Sequence, residues 1–229
     1  MNNLFDLTGK IALVTGKSGM LAPVWVETLK NAGAKVLCIE PPEWNICSKG
    51  QMKRLASQYQ PDIIVNNAAR DNPPTTDITF WGDFEGILDV NLFGVRNICE
   101  NFIPGMIKRG GGVIVNIGSI QGWLGADYRN YVEPFEKPVA YNLSKWALRG
   151  LAKSISVQYG RYNIRCVTPS FSAYDGGKLD PVFLEKFLKN VPMGRAISKK
   201  SMQTTLLYCV CCPELSGADW LVDAGYSSW

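Results

Sequence analysis

Short, continuously apolar runs recur along this chain, each followed by a turn and then a stretch of helical spacing. That alternation restricts the fold more than any other feature. Residues 10–15 (KIALVT), Lys35–Ile39, 62–66 (DIIVN), 112–117, 163–168 and 220–222 read as strands. They lack the apolar–polar alternation of a half-exposed strand, as strands covered on both faces do. Between them, residues 20–31, 50–59, 80–109, Val139–Tyr159 and Lys199–Cys211 have helical spacing, with a short helix near 182–190. The pattern predicts a single doubly wound α/β domain over residues 1–229, with a parallel sheet. Residues 44–47 are expected to form a brief third strand, with the helix between the second and third strands missing. The region 80–109 is expected to bend near Gly94 and to close at Pro104-Gly105 or at Gly110–Gly112.

Composition narrows the function classes. Net charge is +4 without a long basic run, which gives little support for a nucleic-acid partner. No apolar run approaches the ~20 residues of a membrane span, and the first ten residues lack a signal-peptide layout, so a cytoplasmic protein without a membrane partner is expected. Seven cysteines show no paired spacing. Cys209, Cys211 and Cys212 cluster, but with no histidine in the chain no metal site is expected. The lack of histidine also removes Ser-His-Asp and Cys-His chemistry. Proton transfer therefore falls to Tyr, Lys, Asp, Glu or Cys.

Tyr141 and Lys145 stand four positions apart, on one face of a helix. A phenol with a pKa of about 10 is a poor base at neutral pH, and a neighbouring cation would lower that value. Upstream, Gly16 and Gly19 follow the first strand, with Lys17, Ser18, Met20 and Leu21 completing the turn and small Ala22 entering the helix. This arrangement lets backbone N–H groups approach a pyrophosphate. Glu40 ends the next strand, where a carboxylate can accept hydrogen bonds from an adenosine ribose. It would repel a 2′-phosphate, which favours NAD; Lys17 keeps NADP open. Ser119 lies just past a strand end, where open α/β sheets bind ligands, and Asn91 lies within a long helical region.

Taken together, these residues resemble the short-chain dehydrogenase/reductase family over essentially the whole chain. Thr15-Gly16…Gly19 is similar to the family's cofactor turn, and Asn66-Asn67-Ala68-Ala69 to its Asn-Asn-Ala-Gly segment. Asp89–Gly94 resembles the helix with its catalytic asparagine, residues 116–122 the strand end with its serine, and Tyr141–Lys145 its Tyr-x-x-x-Lys. Residues 222–225 resemble its Val-Asp-Gly-Gly. The resemblance implies that Tyr141 is the acid/base, that Lys145 lowers its pKa and binds the nicotinamide ribose, that Ser119 holds the substrate oxygen and that Asn91 positions a water. Hydride would pass between nicotinamide and a secondary alcohol or ketone. Cofactor contacts are implied at Gly16, Lys17, Ser18, Gly19, Met20, Leu21, Glu40, Asn45, Ile46, Asn67, Ala68, Ala69, Tyr141, Lys145, Pro169 and Ser172. A homodimer or homotetramer built on the two long helices is implied as well.

The chain also departs from the family pattern. Only 26 residues separate Glu40 from Asn67, far fewer than in the standard form. Asn45 replaces an aspartate beside the adenine, and Pro169-Ser170 replaces Pro-Gly. Ser172 is the nearest hydroxyl to a missing threonine. Residues 123–137 are an extra segment carrying Trp123, Asp127, Tyr128, Arg129, Tyr131 and Glu133, expected over the substrate site or on a subunit surface. Its side chains suit a polyhydroxylated or anionic ligand. With residues 159–165 and 191–195 it resembles a bacterial branch associated with surface-carbohydrate and flagellin-glycan biosynthesis, which suggests a sugar, sugar nucleotide or sugar acid. The alternative readings are a sugar-nucleotide epimerase or dehydratase, and a Rossmann scaffold that binds without turnover.

Overall fold

The structure is a computed structural model and describes residues 4–71, 80–132, 136–177 and 179–228. Strands β1 (Ile11–Thr15), β2 (Lys35–Ile39), β3 (Ile63–Asn66), β4 (Gly112–Asn116), β5 (Gly118–Ser119), β6 (Ile164–Phe171) and β7 (Asp219–Val222) form one sheet. Their order is β2-β1-β3-β4-β6-β5, with β7 also on β6, and every pair is parallel. Helices α1 (Ala22–Asn31), α2 (Lys49–Gln58), α3 (Phe84–Leu88), α4 (Val95–Lys108), α5 (Val139–Tyr159), α6 (Pro181–Lys189) and α7 (Lys199–Cys211) complete the fold.

The side chains of β1 explain the double winding. Ala12 and Val14 join Trp25 and Leu29 of α1 and Met202 and Leu206 of α7 on one face. Leu13 joins Met52 of α2, Ile98 and Phe102 of α4, and Leu148 and Ile155 of α5 on the other. Because both faces are covered, neither can tolerate polar alternation, which is why the strands read as unbroken apolar runs.

The structure corrects the expected third strand. Among the described residues, 44–47 pair with no strand; the Asn45 side chain accepts from the Cys47 N–H at 2.9 Å and folds the segment into a turn. Ser48 then caps α2 by accepting from the Gln51 N–H. The nine residues from Glu40 to Ser48 run straight from β2 into α2, so β2 is left at the edge of the sheet.

The 80–109 region contains α3, a π-helical turn over Asp89–Gly94, and α4. The π turn lies where a bend was expected. At Gly94 an added Cβ would fall 2.6 Å from the Ile46 Cδ1 atom, so any larger residue would have to displace that side chain. Pro104 is accommodated inside α4, and the helix closes at the glycine run, with Gly110 at φ +90°.

Candidate active site

The end of β5 and the first turn of α5 bring Ser119, Tyr141 and Lys145 together. Lys145 is 5% exposed, and its Nζ donates to the Ile117 carbonyl at 2.8 Å. The same Nζ lies 5.5 Å from the centre of the Tyr141 ring. The Ser119 hydroxyl lies close enough to act on the Tyr141 phenol, and it accepts from the Gln121 N–H at 3.2 Å. Gly122 lets this turn rest directly on α5, since a Cβ there would lie 2.9 Å from the Lys145 carbonyl oxygen.

Asn91 reaches the same helix by another route. From the π turn, its Oδ1 accepts from the Arg70 N–H at 2.7 Å, and its Nδ2 donates to the Arg70 carbonyl at 3.0 Å and to Ser144 Oγ at 3.1 Å. Ser144 in turn donates to the Tyr141 carbonyl at 2.7 Å. The side chain of Asn91 is thus spent on protein groups and ties the chain after β3 to α5.

The electrostatics differ from expectation at one point. Burial holds the Tyr141 phenol well above its ordinary range, the Asp71 carboxylate adds to the rise, and the Ser119 hydrogen bond opposes it. Burial also pulls Lys145 down to about 8, against the attraction of Asp71 and with help from Lys137. Desolvation is the largest influence on the phenol, and the Lys145 ammonium is held by the Ile117 carbonyl.

Three polar residues beside Tyr141 were not singled out from the sequence. Lys137 Nζ lies 4.5 Å from the Tyr141 ring centre and is ion-paired with Asp71. Gln121 donates to the Tyr131 hydroxyl at 3.4 Å and leaves a buried Oε1 without a partner among the described residues. A cue existed for Lys137, four positions before Tyr141, but Pro138 between them concealed the relation.

The glycine turn is built from below. Gly16 has φ +74°, and a Cβ on it would meet the Ala68 Cα atom at 2.7 Å. Asn67 Nδ2 donates to the Thr15 and Gly16 carbonyls at 2.9 and 3.2 Å, while its Oδ1 accepts from Trp25 Nε1 at 2.8 Å. The backbone N–H groups of Asn67 and Ala68 both donate to Thr15 Oγ1. Asn67 thus holds the turn and turns its side chain away from a ligand. Lys17, Ser18, Gly19 and Met20 are exposed, Leu21 opens α1 and Ala69 is exposed. Glu40 accepts from the Ser18 N–H at 2.7 Å, and the Ser18 hydroxyl together with that N–H lowers its pKa.

Two residues were expected beside the adenine. Asn45 turns its side chain into its own loop, and Ile46, 6% exposed, packs against Gly94. At the far end of the site, Pro169 sits in β6 opposite Trp220. Ser172 donates its N–H to the Val222 carbonyl at 3.2 Å, and its buried hydroxyl has no partner among the described residues. An open backbone turn at the start of α1, a half-buried acid just past the next strand and an orphaned hydroxyl opposite fit a dinucleotide.

The extra segment docks beside the site. Arg149 stacks 3.5 Å above the Trp123 ring, donates to the Gly122 carbonyl at 2.7 Å and pairs with Asp219 at 2.5 Å. Asp127 pairs with Arg129 and accepts from the Tyr226 hydroxyl at 3.3 Å. Tyr131 packs on Phe183 of α6, and Phe187 stacks on Tyr226 at 4.6 Å. Tyr128 is exposed, and Glu133 lies outside the described residues. Through Tyr131 and Gln121 the segment reaches the turn that begins at Ser119.

Comparison with known proteins agrees with this geometry. The family model described as short chain dehydrogenase matches residues 48–173, more than half of the chain. A 3-oxoacyl-acyl-carrier-protein reductase of Chlamydia muridarum is 29% identical over 69% of this chain, which spans only 62% of that protein's length. Galactitol 2-dehydrogenase of Rhizobium johnstonii is 27% identical, with 98% of each chain covered. A crystal structure of a short chain dehydrogenase from Leptospira borgpetersenii, with bound NAD+, superposes with a TM-score of 0.86 at 22% identity, covering 99% of this chain and 96% of that one. The chain belongs to the short-chain dehydrogenase family.

Proposed function

We propose that the chain is an NAD(P)-dependent oxidoreductase that moves hydride between nicotinamide and the carbon of a secondary alcohol or ketone in a polar, sugar-like small molecule. The observation that carries this reading is the Ser119–Tyr141–Lys145 cluster at the strand ends, on the same edge of the sheet as the glycine turn. The nicotinamide, when bound, exchanges the hydride; the protein supplies orientation and the proton. Tyr141 gives its phenol proton to the substrate oxygen on reduction, or takes one on oxidation. Ser119 hydrogen-bonds the same oxygen as charge develops. Lys145 would bind the nicotinamide ribose, Glu40 the adenosine ribose and Ser172 the carboxamide. Asn91 holds the frame of α5 and positions a water through its own turn.

Glu40 favours NAD over NADP, because a carboxylate repels a 2′-phosphate. The relative that acts on galactitol and the polar character of the extra segment both support a sugar alcohol, sugar or sugar acid. The resemblance of that segment extends the reading to carbohydrate biosynthesis. Leu143, Trp146 and Val157 are exposed along one face of α5 and support a homodimer or homotetramer, testable by light scattering. Among the described residues no helix is long and apolar enough to cross a membrane.

The test is binding and turnover with NAD(H) and NADP(H) side by side on a panel of polyols. Binding of neither at millimolar concentration sinks the proposal. A second reading, binding without turnover, is supported by the lost third strand and the inward Asn45; cofactor binding with no turnover across the panel would favour it.

A further inference from the structure

We infer that Asp71 and Lys137 form a specificity-determining donor–acceptor pair beside the reacting carbon, selecting a neutral vicinal hydroxyl, so that the substrate is an uncharged polyol or the matching ketone rather than a sugar acid. This inference rests on the oxidoreductase reading above and deepens it.

Lys137 is 8% exposed, is ion-paired with Asp71 and lies over the ring of Tyr141. An ammonium has three donors, so the Asp71 bond leaves Lys137 able to donate again. The Asp71 side chain is 38% exposed and has a second carboxylate oxygen able to accept. Close to the phenol there are thus a committed cation and its counter-anion.

A hydroxyl both donates and accepts, so it can bond to Asp71 and Lys137 at once without disturbing their charge balance. A carboxylate only accepts; it would satisfy Lys137 but lie beside the Asp71 carboxylate, a like-charge contact in a partly buried place. Lys145, the other cation nearby, is already held by the Ile117 carbonyl. An alkyl group would bury the pair without offering any partner. Asp71 is near enough to raise the pKa of both Tyr141 and Lys145, which places its charge at the reacting end of the pocket.

The test uses the full chain with NAD+ and three probes: hexitols, the corresponding hexonates and 2-butanol. The wild type is expected to favour hexitol over hexonate in kcat/KM by about tenfold or more. Asp71→Asn removes the anion at nearly constant volume and should lower that ratio at least about tenfold, through a gain on hexonate. Lys137→Met should lower kcat/KM for hexitol more than for 2-butanol. Thermal unfolding and NAD+ binding confirm that the variants fold. If a variant does not fold, the wild-type preference decides. A wild type that prefers hexonate or 2-butanol, or folded variants with an unchanged ratio, overturns the inference while the oxidoreductase reading stands. Absence of nicotinamide-dependent turnover on all three probes, with no cofactor binding, overturns that reading and this one with it.

Discussion

The ammonium of Lys145 and the carbonyl of Ile117 meet at 2.8 Å, at the break between β4 and β5. This contact indexes the helix that carries Tyr141 against the strand end that carries Ser119. Their hydroxyls therefore stand together before any ligand arrives, and orientation of this kind is what an acid/base group requires. The contact also buries a cation.

That burial sets a pH dependence. Lys145 titrates near 8 in the folded chain, below its ordinary 10.5, because burial disfavours the charged form. Between those values the unfolded chain binds more protons, so stability should rise with pH across that window. Below it, the cost of the buried charge is present in full. The effect is on the order of 3 kcal/mol. Urea unfolding from pH 7.5 to 10 should show this rise in the wild type and not in Lys145→Met; parallel curves would contradict it.

Tyr141→Phe removes the phenol proton and keeps the ring. Turnover should fall roughly 10²- to 10⁴-fold, with cofactor binding retained. Steady-state kinetics and a cofactor titration check both halves. Undiminished kcat would remove Tyr141 from the chemistry.

Glu40 is half-buried, and its pKa is held down by the Ser18 hydroxyl and N–H. Replacing it by Ala removes the repulsion toward a 2′-phosphate and a ribose acceptor. The NAD-to-NADP ratio of kcat/KM should fall by about tenfold, the worth of one charge-assisted hydrogen bond. An unchanged ratio argues against the ribose contact.

Gly16→Ala tests the glycine turn. Left-handed backbone costs a non-glycine residue about 1–2 kcal/mol, and the clash with Ala68 adds about 1–3 kcal/mol. Gly110→Ala is the control, since Gly110 has φ +90° with nothing within 4 Å of the added Cβ, and only the backbone cost applies. Denaturant midpoints should rank wild type, then Gly110→Ala, then Gly16→Ala. A reversed order of the two variants would refute the packing argument.

Much of this was legible along the chain because it depends on local pattern. Apolar strands, the Gly16 turn and the Tyr141/Lys145 spacing all lie within a few consecutive residues. What escaped depends on contacts between distant segments. The π turn at Asn91 answers to Ile46 on one side and Arg70 on the other. Asp71 and Lys137 are 66 positions apart, so no spacing links them. Asn45 could be matched to an adenine position by sequence order, but its side chain found a nearer partner in the Cys47 N–H. The lost third strand was half visible: the shortage of residues showed, whereas their collapse into a turn did not.

That loss has a dynamic consequence. β2 has a neighbour on one side only, and Lys35, Val36, Leu37 and Cys38 are less buried than their β3 counterparts. Local opening is cheapest where packing is thinnest, so amide protons of Lys35–Ile39 should exchange with solvent faster than those of Ile63–Asn66. Glu40 hangs from the end of that same strand. Ligand binding and the breathing of this margin are thereby coupled: whatever grips Glu40 must also still an edge strand of the sheet, and the energy of doing so is subtracted from the grip.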